Sequence, residues 1–317
     1  MDKLLLVLKA VAEPSRLRIL SALRLGEMTV SELTEILVQS QPRISRHLKL
    51  LCDCNLVSRN SEGTWVFYRL NEASAHHNLM MKAIESVDEN DAIILQDNER
   101  LRLVKAAREK RASEYFQANA ANWDAVRKCH IPDSQVESEM LGLLSQTKCE
   151  LLVDLGTGTG RMLEVFADCC RKAIGFDLNH KMLTIARAKL AHEKKSHCQV
   201  RHGDCTSLPL KDGEADVALL HQVLHFLEYP DRALAEAARI LTTNGHLLVA
   251  DFLPHQLETL RTEHAHRRLG FSDLEIEEWF KKEGVVMKKK MHLIPPQSEY
   301  NLTVALWAGQ KLAKEQV

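Results

Sequence analysis

The chain has almost no net charge. Its 42 Lys and Arg stand against 43 Asp and Glu, a formal balance of −1 over 317 residues. Overall charge therefore does not draw it to nucleic acid, and any such binding must come from a local patch. No apolar run is long enough to cross a membrane. The start, MDKLLLVLKAVAEP, has only five consecutive apolar residues before Lys9, too few for a signal-peptide core. The eight cysteines are scattered, and a chain of this size folds without staples. Reduced thiols in a cytoplasm are the expectation. Internal repeats, low-complexity tracts and Gly/Ser linkers are missing too. What remains is 45% apolar and 27% charged, the balance of a globular chain with a sizeable core. The length allows about two domains.

The most informative stretch is Leu151 to Gly160, LLVDLGTGTG. Leu151 to Asp154 reads as a buried strand, and Arg161 to Cys170 as a helix. Between them lies a loop with glycine at 156, 158 and 160. Missing β-carbons let a ligand approach the backbone, and the helix start offers free N–H groups. The spacing is G-x-G-x-G, not the G-x-G-x-x-G of dinucleotide folds. Asp177 ends the next strand, AIGFD, where a carboxylate can take both hydroxyls of a ribose.

From Glu150 onward strands and helices alternate. LLVD, AIGFD, QVRHGD, DVALLH and HLLVADF read as five strands at crossover spacing. That pattern predicts a mainly parallel, doubly wound α/β sheet. Its ligand belongs at the carboxyl ends of the strands, where the chain order reverses. Asp154 and the glycines with Thr157 stand there, as do Asp177, Gly203-Asp204-Cys205 and His221-Gln222.

The first ninety residues read differently. Thr29 and Glu32 form a capping box for a helix through about Val38, with Val30, Leu33, Ile36 and Leu37 inward. Ser40 can cap the next helix, and Pro42 fits its first turn. There Ile44, Leu48 and Leu51 share one face, leaving Gln41, Arg43, Ser45, Arg46 and Lys49 on the other. Leu56 to Arg59 and Thr64 to Leu70 read as strands joined by a turn at Asn60 to Gly63. Two short helices followed by a hairpin predict a winged helix-turn-helix that reads the major groove of double-stranded DNA. Arg59 and Arg69 would serve phosphates.

EPSRLRIL, SELTEIL, SRHLKLL and NLVSRNSEGTWVFYRL resemble the ArsR/SmtB family of winged-helix repressors. The resemblance implies a homodimer on DNA, paired through the first and last helices, here Lys3 to Ala12 and Ala73 to about Asp88. A two-fold protein implies a palindromic operator. The chain departs from the family at its metal sites. Arsenic-sensing members carry C-V-C where this chain has Thr29-Val30-Ser31. The zinc-sensing pattern is broken as well, since Ser74 stands where an Asp is needed before His76. Cys52 and Cys54 lie outside either site. No metal ligand set is expected.

Ala92 to about Lys110 has helical periodicity and dense charge, and reads as a connecting helix. The boundaries expected are therefore 1–91 for DNA binding and dimerisation, 92–111 for the connection and 112–317 for the ligand domain. Within the last, VDLGTGTGR, GFDLN, GDCTSLPL and ADVALLHQVLHFLEYPDRALAEAARIL resemble class I S-adenosylmethionine-dependent methyltransferases. The resemblance adds two late strands, VVMKKKMHLI and LTVALWAG, the last antiparallel, for a seven-stranded sheet. It implies S-adenosylmethionine (SAM) or S-adenosylhomocysteine (SAH) as ligand. Leu178 and Met182 would sandwich the adenine, and Asp204 would accept from its amino group. Trp123, from the segment YFQANAANWD, would close over the ligand.

Five histidines, at 221, 225, 255, 264 and 266, fall near this site without a motif that names a methyl acceptor. No catalytic residue is assigned from sequence. The segment EHAHRRLGFSDLEIEEWF reads equally as a lid or as a packed edge. Two functions stay open. One is a regulator that senses SAH or SAM, an architecture similar to the SahR regulators of methionine-cycle genes and to other ArsR-type regulators with a methyltransferase domain. The other is an active methyltransferase of a small molecule with an appended DNA-binding domain. The missing metal ligands beside a complete nucleoside site favour the regulator.

Overall fold

The computed structural model describes residues 2–62, 65–71, 73–123, 133–144, 149–294 and 302–313. The chain forms two compact units, Met1–Arg111 and Ala112–Val317.

Unit one contains α1 (Asp2–Val11), α2 (Pro14–Leu23), α3 (Val30–Leu37), α4 (Gln41–Asp53), α5 (His77–Glu85) and the N-terminal part of α6 (Ala92–Asn119). A small antiparallel sheet joins β1 (Met28–Thr29), β2 (Val57–Glu62) and β3 (Trp65–Leu70), in the order β1-β3-β2. The helix starts follow from side chains. The Thr29 hydroxyl accepts from the Glu32 N–H at 3.3 Å, and Glu32 Oε2 accepts from the Thr29 N–H at 2.8 Å. That reciprocal pair satisfies two donors that a helix start otherwise leaves open. Ser40 occupies the cap position of α4, but its hydroxyl makes no cap bond. Ile44, Leu48 and Leu51 are fully buried on the inner face of α4.

In the first ninety residues and the connecting helix, three elements differ in extent from the sequence reading. α5 starts at His77, not Ala73. The Ala73 N–H donates to Asn71 Oδ1 and the His76 N–H to Ser74 Oγ, local bonds that hold a turn in place of a helix. The β2–β3 pairing continues to Glu62↔Trp65, past the expected turn, and Gly63 and Thr64 lie outside the described residues. α6 runs on to Asn119 instead of ending near Lys110, because no Gly or Pro interrupts residues 92–119.

The start of α6 is part of unit one. Leu101 and Val104 join its core. Asp97, only 5% exposed, accepts from Arg18 Nε at 2.5 Å, Arg18 Nη2 at 2.7 Å and Arg100 Nη2 at 2.7 Å. The same guanidinium groups donate to the carbonyls of Leu37 and Ile36. A buried carboxylate is tolerated here because two fork-shaped cations fill its lone pairs.

Unit two is a seven-stranded sheet in the order β6-β5-β4-β7-β8-β10-β9. Its strands are β4 (Cys149–Leu155), β5 (Cys170–Asp177), β6 (Cys198–His202), β7 (Ala215–His221), β8 (Leu241–Phe252), β9 (Val285–Leu293) and β10 (Val304–Lys311). β4 to β8 pair in parallel, and β10 is antiparallel to both neighbours. The helices are α7 (Asp133–Leu144), α8 (Arg161–Phe166), α9 (His180–His192), α10 (Pro230–Ile240), α11 (Thr259–Glu263) and α12 (Asp273–Lys282). Side chains alternate across the pleat, so each strand feeds two cores. Leu152, Ala173 and Leu219 pack with α7 to α9, while Val153, Ile174 and Ala218 pack with α10 and α12. The order of strands reverses at β4, which places the ligand crevice there.

α8 is shorter than expected. It ends at Phe166, passes through one 3-10 turn and gives way to β5 at Cys170. Cys170 is already paired in register with Cys149, so sheet pairing overrides the helical pattern at 167–170.

The capping box gives a direct test of this local reading. Thr29→Ala is expected to lower unfolding free energy by about 1 kcal/mol, the usual cost of losing such a cap. Ser40→Ala, which removes no bond, is expected to be close to neutral. Equilibrium urea unfolding of the full chain checks both.

Candidate functional site

The glycine loop is fastened to the neighbouring strand. The N–H groups of Gly156 and Thr157 both donate to the Phe176 carbonyl, at 2.8 and 2.9 Å. The Gly158 N–H donates to Asp177 Oδ2 at 2.9 Å, and the Asn179 N–H to Asp177 Oδ1 at 2.8 Å. One carboxylate therefore ties the loop after β4 to the start of α9. Burial raises the Asp177 pKa, and the two amide donors and nearby His202 oppose that rise. An ionised carboxylate has about four acceptor positions, so two remain for a pair of hydroxyls.

Gly156, Gly158 and Gly160 all have positive φ, at 79, 53 and 83°. A β-carbon at Gly156 would fall 2.3 Å from a Val223 methyl. At Gly158 it would rest 3.5 Å from the Trp123 indole nitrogen. Trp123 thus stands over the loop. Gly160 leads directly into α8.

The other expected residues gather at the same end of the sheet. Asp154 is buried at the end of β4, with Thr157 buried beside Gly175. Gly203 follows β6, its N–H on the Asp177 carbonyl. Asp204 is exposed, and its Oδ1 accepts from both the N–H and the hydroxyl of Thr206. Cys205 is buried, and burial together with the carboxylates of Asp177, Asp204 and Asp154 pushes its thiol well up. It is a protonated wall residue, not a thiolate. Leu178 is 57% exposed at the mouth, whereas Met182 is buried in the core. His221 is buried at the end of β7. Next to it, Gln222 has φ 51°, and its buried Nε2 has no acceptor among the described residues. An orphaned donor here, a nucleoside-sized acceptor set at Asp177 and a loop without β-carbons fit an adenosine ligand with a carboxylate tail.

A second cluster lies beside the first. His225, in the turn after β7, directs Nδ1 at Asp251 Oδ1 at 2.7 Å; the two are 2% and 0% exposed. Its carbonyl accepts from the N–H groups of Arg267 and Arg268. The ring stacks on His266 at 4.1 Å. Tyr115 bonds through its hydroxyl to His264 Nδ1 at 2.9 Å, and burial pushes that hydroxyl up to about 12, so it keeps its proton. Leu260, His266, Arg268, Leu269 and Phe271 are buried, so residues 260–271 are packed against the unit in this structure. The His225–Asp251 pairing is invisible in sequence, because 26 positions separate two residues brought together by adjacent strands.

On unit one, Gln41, Arg43, Ser45, Arg46 and Lys49 are all exposed on the outer face of α4. Arg43 Nη2 also approaches Ser15 Oγ at 3.5 Å. The hairpin register pairs Arg59 with Tyr68 and Ser58 with Arg69. Side chains of directly paired residues share a face, so Arg59 and Arg69 lie on opposite faces of the wing.

Residues 13–59 match the bacterial regulatory protein, arsR family, and residues 153–249 match a methyltransferase domain. Over 98 residues the chain is 39% identical to the arsenic resistance transcriptional regulator ArsR1 of Pseudomonas putida, spanning 30% of this chain and 75% of that one. The chain belongs to the arsR family.

This arsR-family chain carries a methyltransferase domain after its helix-turn-helix. It is also 27% identical over 119 residues to the uncharacterized methyltransferase YcgJ of Bacillus subtilis, which covers 36% of this chain and 47% of that protein. It spans only 34% of a similar Streptomyces fradiae transposon protein and 62% of a Bacillus subtilis arsenical resistance operon repressor, less than two thirds of either. By structure it resembles a chain from the Haloferax volcanii complex of the Trm112 methyltransferase activator with a methyltransferase. The TM-score is 0.53 at 21% identity, over 64% of this chain and 98% of that one. That likeness concerns the fold. At the position of the thiol pair of arsenic-sensing members, the Thr29 hydroxyl is committed to the α3 cap.

The loop glycines are expected to differ in tolerance. Gly156→Ala adds the cost of left-handed backbone, roughly 1–2 kcal/mol, to overpacking against Val223, typically 1–3 kcal/mol. Gly158→Ala incurs only the first. Thermal unfolding of the two variants should rank them in that order.

Proposed function

We propose that this arsR-family protein is a transcriptional repressor whose methyltransferase domain binds SAH or SAM as its effector. The observation that carries the reading is the complete nucleoside cradle at Gly156–Gly160 and Asp177, in a chain whose thiol-sensor position is spent on a helix cap. In this reading Asp154, Gly156, Thr157, Gly158, Gly160 and Trp123 hold the methionine and ribose side of the ligand. Asp177 takes the ribose hydroxyls, and Leu178, Met182, Gly203, Asp204, Cys205 and His221 surround the adenine. No metal takes part.

Operator DNA is read by Gln41, Arg43, Ser45, Arg46 and Lys49, with Arg59 and Arg69 on phosphates. The protein works as a cytoplasmic homodimer on a palindromic operator. Leu4, Leu5, Leu6 and Leu8 support that, since α1 leaves them 41–59% exposed. Genes of the methionine and SAM cycle are the proposed targets, on the likeness to SahR-type regulators.

Calorimetry with SAH and with SAM, followed by anisotropy on DNA from upstream of the chain's own gene, tests the reading. SAH should bind, and Asp177→Ala should weaken it roughly ten- to hundred-fold, the loss of a charged hydrogen-bond partner. Saturating SAH should weaken DNA binding by about five- to 150-fold, and DNA must weaken SAH by the same factor. Tight SAH binding with unchanged DNA affinity would overturn the sensor role.

Arg46→Ala separates two modes of contact. A base contact costs about 1–3 kcal/mol and relaxes specificity at one position. A phosphate contact lowers the salt slope by about one unit. Titration of the same DNA at several salt concentrations distinguishes them, and no change in either quantity would remove α4 from the interface.

A further inference from the structure

The buried His225–Asp251 pair has no place in a site that only holds a nucleoside. A carboxylate 2.7 Å from an imidazole nitrogen fixes the ring's tautomer, because that nitrogen must carry the proton it shares. Nδ1–H therefore donates to Asp251, and in the neutral ring Nε2 keeps its lone pair. Among the described residues nothing bonds to that second nitrogen. The ring cannot turn away. Its carbonyl is held by two N–H groups, and its ring packs against Phe226, His266 and Phe252 at 4.0, 4.1 and 5.0 Å between centroids. A base oriented by a third group is the arrangement that activates a weak nucleophile.

Its surroundings say which nucleophile. Phe226, adjoining His225 in the chain, lies 6.0 Å from Trp123 and 4.9 Å from Phe116 between ring centroids. Phe116 lies 5.3 Å from Trp123, and Trp123 stands over Gly158. These three rings are only partly buried. Aromatic surface thus runs without a break from the glycine loop to the imidazole. Such surface accepts a flat ring by offset or edge-to-face stacking. An amine attacks through a lone pair it already has, whereas a hydroxyl must lose its proton. Among hydroxyls, a phenol is within a histidine's reach, with an ordinary pKa near 10.

We infer that His225, oriented by Asp251, is the general base of a methyl transfer from SAM to a phenolic hydroxyl whose ring lies against Trp123, Phe116 and Phe226. The inference rests on the reading that this domain binds SAM. Nε2 of His225 takes the phenolic proton, and the imidazolium is balanced by the Asp251 carboxylate. The phenol oxygen forms the new O–C bond to the methyl group. The S–C bond of SAM breaks with its electron pair staying on sulfur, which leaves SAH. The imidazolium then returns its proton to solvent.

The test uses the full-length protein in two measurements. In the first, the chain saturated with SAH is titrated with 4-nitrophenol, below that probe's own solution pKa. The visible absorbance separates bound phenolate from phenol without any turnover. Wild type is expected to show the phenolate band on binding, and His225→Asn to lose it. In the second, SAH formation from SAM is followed with catechol as acceptor. His225→Asn is expected to lower kcat by roughly a hundred-fold, the scale of general-base catalysis, and Asp251→Asn by less. Unchanged SAH affinity in each variant shows that the fold is intact, and His225→Gln serves if the Asn variant misfolds.

A wild-type protein that binds SAH yet gives neither the phenolate band nor turnover overturns the assignment. So does a His225 variant that retains both. Failure of wild type to bind SAH at all sinks the cofactor reading itself, a result distinguishable from either.

Discussion

The carboxylate of Asp177 is the constraint on which the ligand domain depends. It sits at the end of β5, next to the strand where the order reverses, and takes N–H groups from Gly158 and Asn179. That pair of bonds closes the glycine loop on one side and starts α9 on the other. Loop position then decides the rest. Val223 is packed to within 2.3 Å of where a Gly156 side chain would begin, and Trp123 rests on Gly158. Phe226 approaches Trp123, and His225 follows in the same turn, with Asp251 reaching it from β8. The glycine loop and the imidazole pair are thus consecutive parts of one contact chain.

Unit one depends on a comparable polar anchor. Asp97 binds Arg18 and Arg100, and those guanidinium groups also satisfy the carbonyls at the end of α3. The buried carboxylate of α6 is therefore linked to α2 and α3, the helices that support the exposed face of α4. Thr29 belongs to the same economy of polar groups. Its hydroxyl starts α3, and with Ser31 it replaces the sulfur ligands that a thiol-based sensor would need there. If the family's trigger is absent from the DNA-binding unit, the attached domain becomes the natural place for one, which is why SAH or SAM is proposed as effector. A general base beside the cradle would let the same domain consume SAM and generate SAH.

Much of this was legible without coordinates. Alternating β and α patterns, three glycines and Asp177 locate a glycine loop and a carboxylate at the strand ends, because a tight loop, a free helix start and a carboxylate are each tied to residue type at short spacing. The capping box and the Ile44–Leu48–Leu51 stripe likewise set α3 and the inner face of α4, since both are interactions within one or two helical turns. Where competition between local and non-local bonds mattered, the pattern misled. Residues 167–170 favour helix by themselves, yet Cys170 pairs with Cys149 and the sheet takes it. Residues 73–76 favour helix as well, and side-chain bonds from Asn71 and Ser74 turn them aside.

What the sequence determined by itself, then, is the set of interactions whose partners are near in the chain: caps, turns, apolar faces, the glycine loop. What only the tertiary structure decided is which distant groups meet. Five histidines were equivalent in the sequence, and one of them acquired a buried carboxylate because β7 and β8 lie side by side. Arg59 and Arg69 looked alike until the hairpin register put them on opposite faces. Gly156 and Gly158 differed only once Val223 and Trp123 were in place. The reason is common to all three. Residue type sets what a group can do, but a charge, a ring or a missing β-carbon acquires its role from the partner that the sheet order brings to it.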